Sequence, residues 1–153
     1  MKLRINRNTW KSGSCGEGST MLLNRQGYQC CLGQVCSQLG VPDDRLLYLT
    51  GPSHMLGRAY ELEARKKLPE GTLEDIYQKI SEVLRLPPLE EHGFLRWDGN
   101  SELVQEAIRL NDHPSAINPD YPIDRRTREE WLIELFAKHG HELEFYDGPG
   151  PSV

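Results

Sequence analysis

The sequence predicts an α+β fold, with a small sheet formed by strands at the two ends of the chain and packed by several helices. Three observations carry this expectation. Polar and apolar residues alternate in Lys2-Leu3-Arg4-Ile5-Asn6 and again in His141-Glu142-Leu143-Glu144-Phe145-Tyr146, the two-residue period of a half-buried strand. Between these stretches apolar residues recur at helical spacing. With 153 residues, 37% apolar and 27% charged, the chain is long enough to bury a core without disulfides or a structural metal. The expected organisation is one globular domain over residues 1–147 and a flexible C-terminal tail over 148–153, where Gly148-Pro149-Gly150-Pro151 offers no apolar anchor.

Taken in order, the first strand is short and charged enough to form a sheet edge. Ser12-Gly13-Ser14-Cys15-Gly16-Glu17-Gly18-Ser19 carries no apolar side chain to bury and reads as a mobile surface loop. It lacks the following Lys-Ser/Thr of a phosphate cradle. Thr20-Met21-Leu22-Leu23 reads as a second strand ended by Asn24-Arg25-Gln26-Gly27. Over 28–39, Leu32, Val35, Cys36 and Leu39 share one helical stripe and Gly40 supplies the stop. The opposite face carries Cys30, Gly33, Gln34 and Ser37, small enough apart from the glutamine to admit another backbone or a ligand. Pro42-Asp43-Asp44 is a turn, 45–50 fits helix or strand, and 55–68 is helical in part.

Thr72 and Asp75 suggest an N-cap for a helix carrying Leu73, Ile76, Ile80, Val83 and Leu84, ended by Leu86-Pro87-Pro88. A further helix over 101–110 faces Leu103, Val104, Ala107 and Ile108 inward. Thr127-Arg128-Glu129-Glu130 reads as a capping box for the last helix, whose stripe is Trp131, Leu132, Leu135 and Phe136 and whose stop is Gly140. The two terminal strands are expected to pair, packed by the Cys-containing and Trp131 helices.

Charge bounds the function. The net charge is −5, with +3 over residues 1–51, −2 over 52–100 and −6 over 101–153. General nucleic-acid binding, which rests on neutralising phosphates, is disfavoured. The asymmetry would steer a basic partner to one face unless folding brings the ends together and cancels it. No apolar run approaches the roughly 18–20 residues needed to cross a bilayer, and the first residues lack a signal-peptide core. A cytoplasmic location and no membrane partner are expected.

Two stretches carry a resemblance. Asn6 to Gly40, with Thr9-Trp10, Leu22-Leu23, Gly27 and Cys30-Cys31-Leu32-Gly33, resembles the start of small proteins of tailed bacteriophages and prophages. The end does too, through Ala107-Ile108-Arg109-Leu110-Asn111-Asp112, Arg128, Leu135-Phe136, Gly140 and Glu142-Leu143-Glu144-Phe145. Together they cover about half the chain, and residues 42–100 contribute nothing. The resemblance implies a phage accessory protein, with no catalytic residue attached. Its expected role is non-enzymatic: binding and modulating or inhibiting a host or immune-defence protein inside the host cell.

Two further function classes compete. Cys30-Cys31-Leu32-Gly33-Gln34-Val35 followed by Leu39-Gly40-Val41 is loosely similar to the helix that bears the catalytic cysteine of papain-like cell-wall peptidases. Unsatisfied N–H groups in a first helical turn stabilise a thiolate, so the second class is a small hydrolase or transferase with Cys30 as candidate nucleophile, His141 as base and Asp112 as its orienting acid. A small-molecule sequestering protein is the third class. Neither a cofactor nor a metal is expected, because Cys15, Cys30, Cys31 and Cys36 lack zinc spacing, and a reducing cytosol disfavours disulfides. His139 and His141 are the histidines nearest in type to a metal pair, but His139 also suits a helix end. Candidate binding residues are Trp97, in a loop where an aromatic can anchor a partner, and Arg125, Arg126 and Arg128 at a helix start, where anionic groups could be met.

Overall fold

The computed structural model describes residues 1–12, 22–47, 72–86, 101–112 and 125–151. Strand β1 (Lys2–Asn6) pairs with β2 (Glu142–Tyr146) in a parallel ladder that sets Lys2 opposite Glu142 and Asn6 opposite Tyr146. The alternation puts Leu3, Ile5, Leu143 and Phe145 into the core and leaves Lys2, Arg4, Glu142 and Glu144 on the outer face. There Lys2 Nζ lies 3.3 and 3.0 Å from Glu142 and Glu144, and Arg4 is 4.2 Å above the Tyr146 ring. Arg7 forms a bidentate pair with Glu129 at 2.8 and 2.9 Å. The basic first third of the chain thus meets the acidic last third, and folding cancels part of the charge asymmetry. The exposed pairs on the ladder itself fix register more than they add stability.

The described residues also form the helices α1 (Cys31–Gln38), the single turn α2 (Asp43–Leu46), α3 (Thr72–Leu84), α4 (Glu102–Asp112) and α5 (Arg125–Lys138). An α+β fold with the terminal strands in one sheet is what the sequence predicts. Helix α1 packs on β1, α2 and α4, while α5 packs on α4 and β2. Leu32, Val35, Cys36, Leu103, Val104, Ala107, Leu132 and Phe136 join the strands' apolar residues in one core. Trp131, placed on the stripe by its spacing, is only partly buried at the rim of that core. Among the described residues no helix is long and apolar enough to cross a membrane.

Several local expectations shift. Helix α1 starts at Cys31 rather than at 28, because Cys30 is its extended N-cap, accepting a bond from Gly33 N. The small face of α1 does admit a backbone: a Cβ on Gly33 would lie 1.8 Å from Leu22 O. Of the expected second strand, Leu23 forms only an isolated parallel bridge to Leu47. The last helix begins at Arg125, so Thr127 lies inside it and the Thr127–Glu130 box is not at the N-cap. Pro42 is the N-cap of α2; of the 45–50 stretch, Arg45 and Leu46 end that turn, Leu47 makes the bridge, and 48–50 lie outside the described residues. The Gly-rich 13–18 loop and the 55–68 helix lie outside the described residues.

Helix ends are closed as the sequence implies. Gly40 and Gly140 have φ of +95° and +82°, and Val41 N and His141 N return to Cys36 O and Phe136 O at 3.1 and 3.0 Å. Helix α3 ends differently, with Arg85 itself at φ +56° and Leu86 N bonded to Ser81 O. Ser101 caps α4, accepting from Val104 N at 3.2 Å while its hydroxyl donates to Leu84 O.

Candidate functional site

The free edge of β1 is closed by side chains instead of a third strand. In the parallel ladder Arg4 and Asn6 turn their backbone groups away from β2. Gln34 Oε1 accepts from Asn6 N at 2.7 Å, and its Nε2 returns a bond to Asn6 O at 3.1 Å. Gln38, one helical turn later, accepts from Arg4 N at 2.8 Å and donates to Arg4 O. Two carboxamides at i and i+4 on α1 therefore copy the alternating donor and acceptor of a neighbouring strand. Edge closure of this kind removes a template for unwanted strand pairing.

Beside this seam runs a polar groove. One hollow of about 330 Å³ is lined by Arg4, Gln29, Gln34, Ser37, Gln38 and Tyr146. A second, of about 430 Å³, is lined by Leu23, Asn24, Arg25, Asp43, Leu47 and the segment from Pro149 to Pro151. Asn6, Thr9 and Gln29 line both, so the two hollows adjoin along this seam. Its walls are fixed: Gln29 Nε2 donates to Ser37 Oγ at 2.7 Å and Gln34 Nε2 to Thr9 Oγ1 at 3.2 Å. The Asn24 turn is held by Gln26 N and Tyr28 N on Asn24 Oδ1, both at 2.9 Å.

Asn6 is the pivot. It is 7% exposed, and its Oδ1 accepts from Gly148 N at 2.9 Å and Asn8 N at 3.1 Å while Nδ2 donates to Pro149 O at 2.8 Å. Asn8 donates to Gly148 O. Gly148 and Pro149, the first residues of the expected tail, thus lie beside β1, where their backbone groups find amide partners although their side chains offer no apolar anchor.

The three described thiols, Cys30, Cys31 and Cys36, are all buried. Cys30 is 6% exposed, and burial pushes its thiol up to about 12, with the Asp112 charge adding to the rise and the bond from Gly33 N opposing it only in part. Burial likewise raises Cys31 and Cys36. Asp112 accepts from Asn111 Nδ2 at 2.8 Å and lies near Cys30 and Arg128. His141 sits elsewhere: Glu142 N bonds Met1 O at one end of the ladder, whereas Gln34, in the first half of α1, bonds Asn6 at the other. Four residues of strand, about 13 Å, separate those ends. His141 Nε2 bonds Val83 O at 2.9 Å, and burial lowers its pKa. The Cys30–His141–Asp112 arrangement expected from the peptidase likeness is not assembled. An N-terminal dipole cannot offset full desolvation of the thiolate.

The arginines separate as well. Arg128 is 3% exposed and donates to Leu110 O and Asn111 O, closing the last carbonyls of α4. That corrects its expected place on a binding surface. Arg126 is exposed and 3.3 Å from Glu130. Helix α5 starts at Arg125, whose side chain lies outside the described residues, as does Trp97. Among the described residues no group of three His, Cys, Asp or Glu side chains converges on a metal position.

Sequence reasoning missed Asn6 and Asn111. Asn111, 1% exposed, accepts from Trp10 Nε1 at 2.8 Å and Cys31 N at 3.1 Å, and donates to Lys11 O at 3.2 Å. Its available signal was its place at the end of a helix; that of Asn6 was a polar residue on a strand's last position. No family model, no curated protein and no solved structure matches the chain.

Proposed function

We propose that the chain is a non-enzymatic binding protein whose groove along α1 and β1 holds an extended segment of another protein. The phage origin and the partner class rest on the resemblance of the two ends of the sequence. On that reading it is a phage-encoded accessory protein that binds and modulates or inhibits a host or immune-defence protein in the cytoplasm of the host cell. The observation that supports binding is the groove itself: fixed neutral amides, three of which already hydrogen-bond extended backbone, at Arg4, Asn6 and Gly148–Pro149. A peptide strand presents the alternating N–H and C=O groups that such amides take. The raised thiols of α1 and the separation of Cys30 from His141 support a role without covalent chemistry.

The second reading, small-molecule sequestration, is favoured by the 430 Å³ hollow, a volume within the range of roughly 300–1,000 Å³ usual for ligand sites. Its amide-rich lining suits a peptide better than an apolar ligand. The test is affinity capture from host lysate with the tagged chain and a Ser37→Trp variant, whose ring fills the groove. A stoichiometric partner retained by the native chain and lost by the variant, at unchanged melting temperature, is the expected result. Retention unaffected by the variant would remove the groove from the interface, and a native chain that captures nothing would overturn the binding reading.

A further inference from the structure

Resting on the groove reading, we infer that the segment from Gly148 to Pro151 is a displaceable occupant, and that its subsite at Asn6 and Asn8 recognises a Gly-Pro dipeptide in the partner's extended segment. The segment forms one wall of the 430 Å³ hollow. Its hydrogen bonds to Asn6 and Asn8 use backbone atoms alone: Gly148 N, Gly148 O and Pro149 O. The subsite therefore reads chain conformation and residue size.

Each position has a physical selector. A Cβ on Gly148 would lie 2.7 Å from Asn6 Nδ2 and 2.7 Å from Tyr146 Cε2. Asn6 cannot withdraw, because Gln34 holds its backbone on both sides and Asn8 N holds its Oδ1. Glycine is the residue that fits there without displacing the Asn6 or Tyr146 side chain. The next residue supplies a carbonyl to Asn6 Nδ2, and proline brings no N–H that would need a partner while presetting φ for an extended path. One residue earlier, Arg7 Nη1 is 3.6 Å from Asp147 Oδ2, so an acidic residue before the glycine is favoured. The partner chemistry is an extended acidic-Gly-Pro segment, for which this chain's own Asp147-Gly148-Pro149 is the intramolecular competitor.

The test uses the synthetic heptapeptide Asp-Gly-Pro-Gly-Pro-Ser-Val, the sequence of residues 147–153, added to ¹⁵N-labelled protein. Three proteins are compared: the full chain, the chain without residues 148–153, and full-length Gly148→Ala, whose methyl presses on Asn6 and Tyr146 and weakens the segment's seat. A tethered segment competes at an effective concentration in the millimolar range. The peptide is expected to shift the Asn6 and Asn8 side-chain amide signals of either altered protein at a concentration about tenfold or more below that needed for the full chain. A peptide with alanine at its glycine corresponding to Gly148 should shift neither. Absence of shifts in both altered proteins at millimolar peptide overturns the inference. So does loss of folding in both, which would make the segment part of the framework. Peptide binding without any partner in the lysate capture would break the function reading and leave the subsite standing; partner capture without peptide binding would do the reverse.

Discussion

Asn6 and Asn111 are both almost fully buried carboxamides, and each gathers several hydrogen bonds, yet they tie together different things. Asn111 joins the Trp10 indole, the first helical N–H of α1 and Lys11 O, while its own carbonyl takes Arg128. All of its partners belong to the frame. Asn6 has its backbone fixed in the frame by Gln34 but spends its side chain on Gly148, Pro149 and Asn8. The same chemical group thus serves as a weld in the core and as a reader of backbone at the rim. What separates the roles is the partner's alternative: the indole and the α1 N–H have no water to turn to, whereas the 148–151 segment borders an open groove.

The sharpest break of this comparison is Asn111→Ala. It removes the acceptor shared by Trp10 Nε1–H and Cys31 N–H, two buried bonds at about 1–3 kcal/mol each, so urea denaturation should show a loss of about 4 kcal/mol and a red shift in tryptophan emission. Asn6→Ala should cost less, about 1–2 kcal/mol, because Gln34 still pairs with its backbone. Its signature is local: faster hydrogen exchange at Gly148 with the core unchanged. If the two variants lose equal stability, the division between weld and reader fails.

Neither asparagine titrates, so their difference should hold across pH on a slope that both variants share. That slope comes from His141, whose pKa is lowered from 6.5, first by burial, with its Nδ1 buried and unpartnered. The folded state therefore holds fewer protons than the unfolded chain just below the ordinary value. Its contribution is fully present above pH 6.5 and is lost as pH falls from 6.5 toward the depressed folded pKa. Denaturant midpoints measured from pH 8 to 5 should fall, and His141→Gln should flatten the curve; a native chain equally stable at both ends contradicts the assignment. The smallest effect is a gain. Arg85→Gly relieves a left-handed residue at the α3 stop and should add about 1 kcal/mol in both backgrounds, read as a raised melting temperature.

Much of the frame was legible in the sequence because period and punctuation are local. The strands at 2–6 and 142–146, the apolar faces of α3 and α4 and the stops at Gly40 and Gly140 each follow from neighbours within a few residues. The shortfalls are non-local. Thr127–Glu130 has the form of a capping box, but Arg128 is drawn inward by the end of α4, and the helix begins earlier. Cys30 occupies the helix position that lowers a thiol pKa, yet packing removes its water and reverses the sign. Of the groove only the α1 wall was legible, as the face with Gln34 and Ser37 that could admit a backbone or a ligand; the rest comes from residues around 4–9, 23–29, 43–47 and 146–151, whose amides read as ordinary surface until their partners are in place.

The parallel pairing of Lys2 with Glu142 has a consequence for how the protein is made. The strand synthesised near the start is completed by one synthesised some 140 residues later, and at about 5–20 residues per second that interval is on the order of ten seconds. During it Leu3 and Ile5 lack their sheet neighbour. The β1–β2 pairing therefore waits until β2 has been made, and its high sequence separation gives the closing contact a large loop-closure cost.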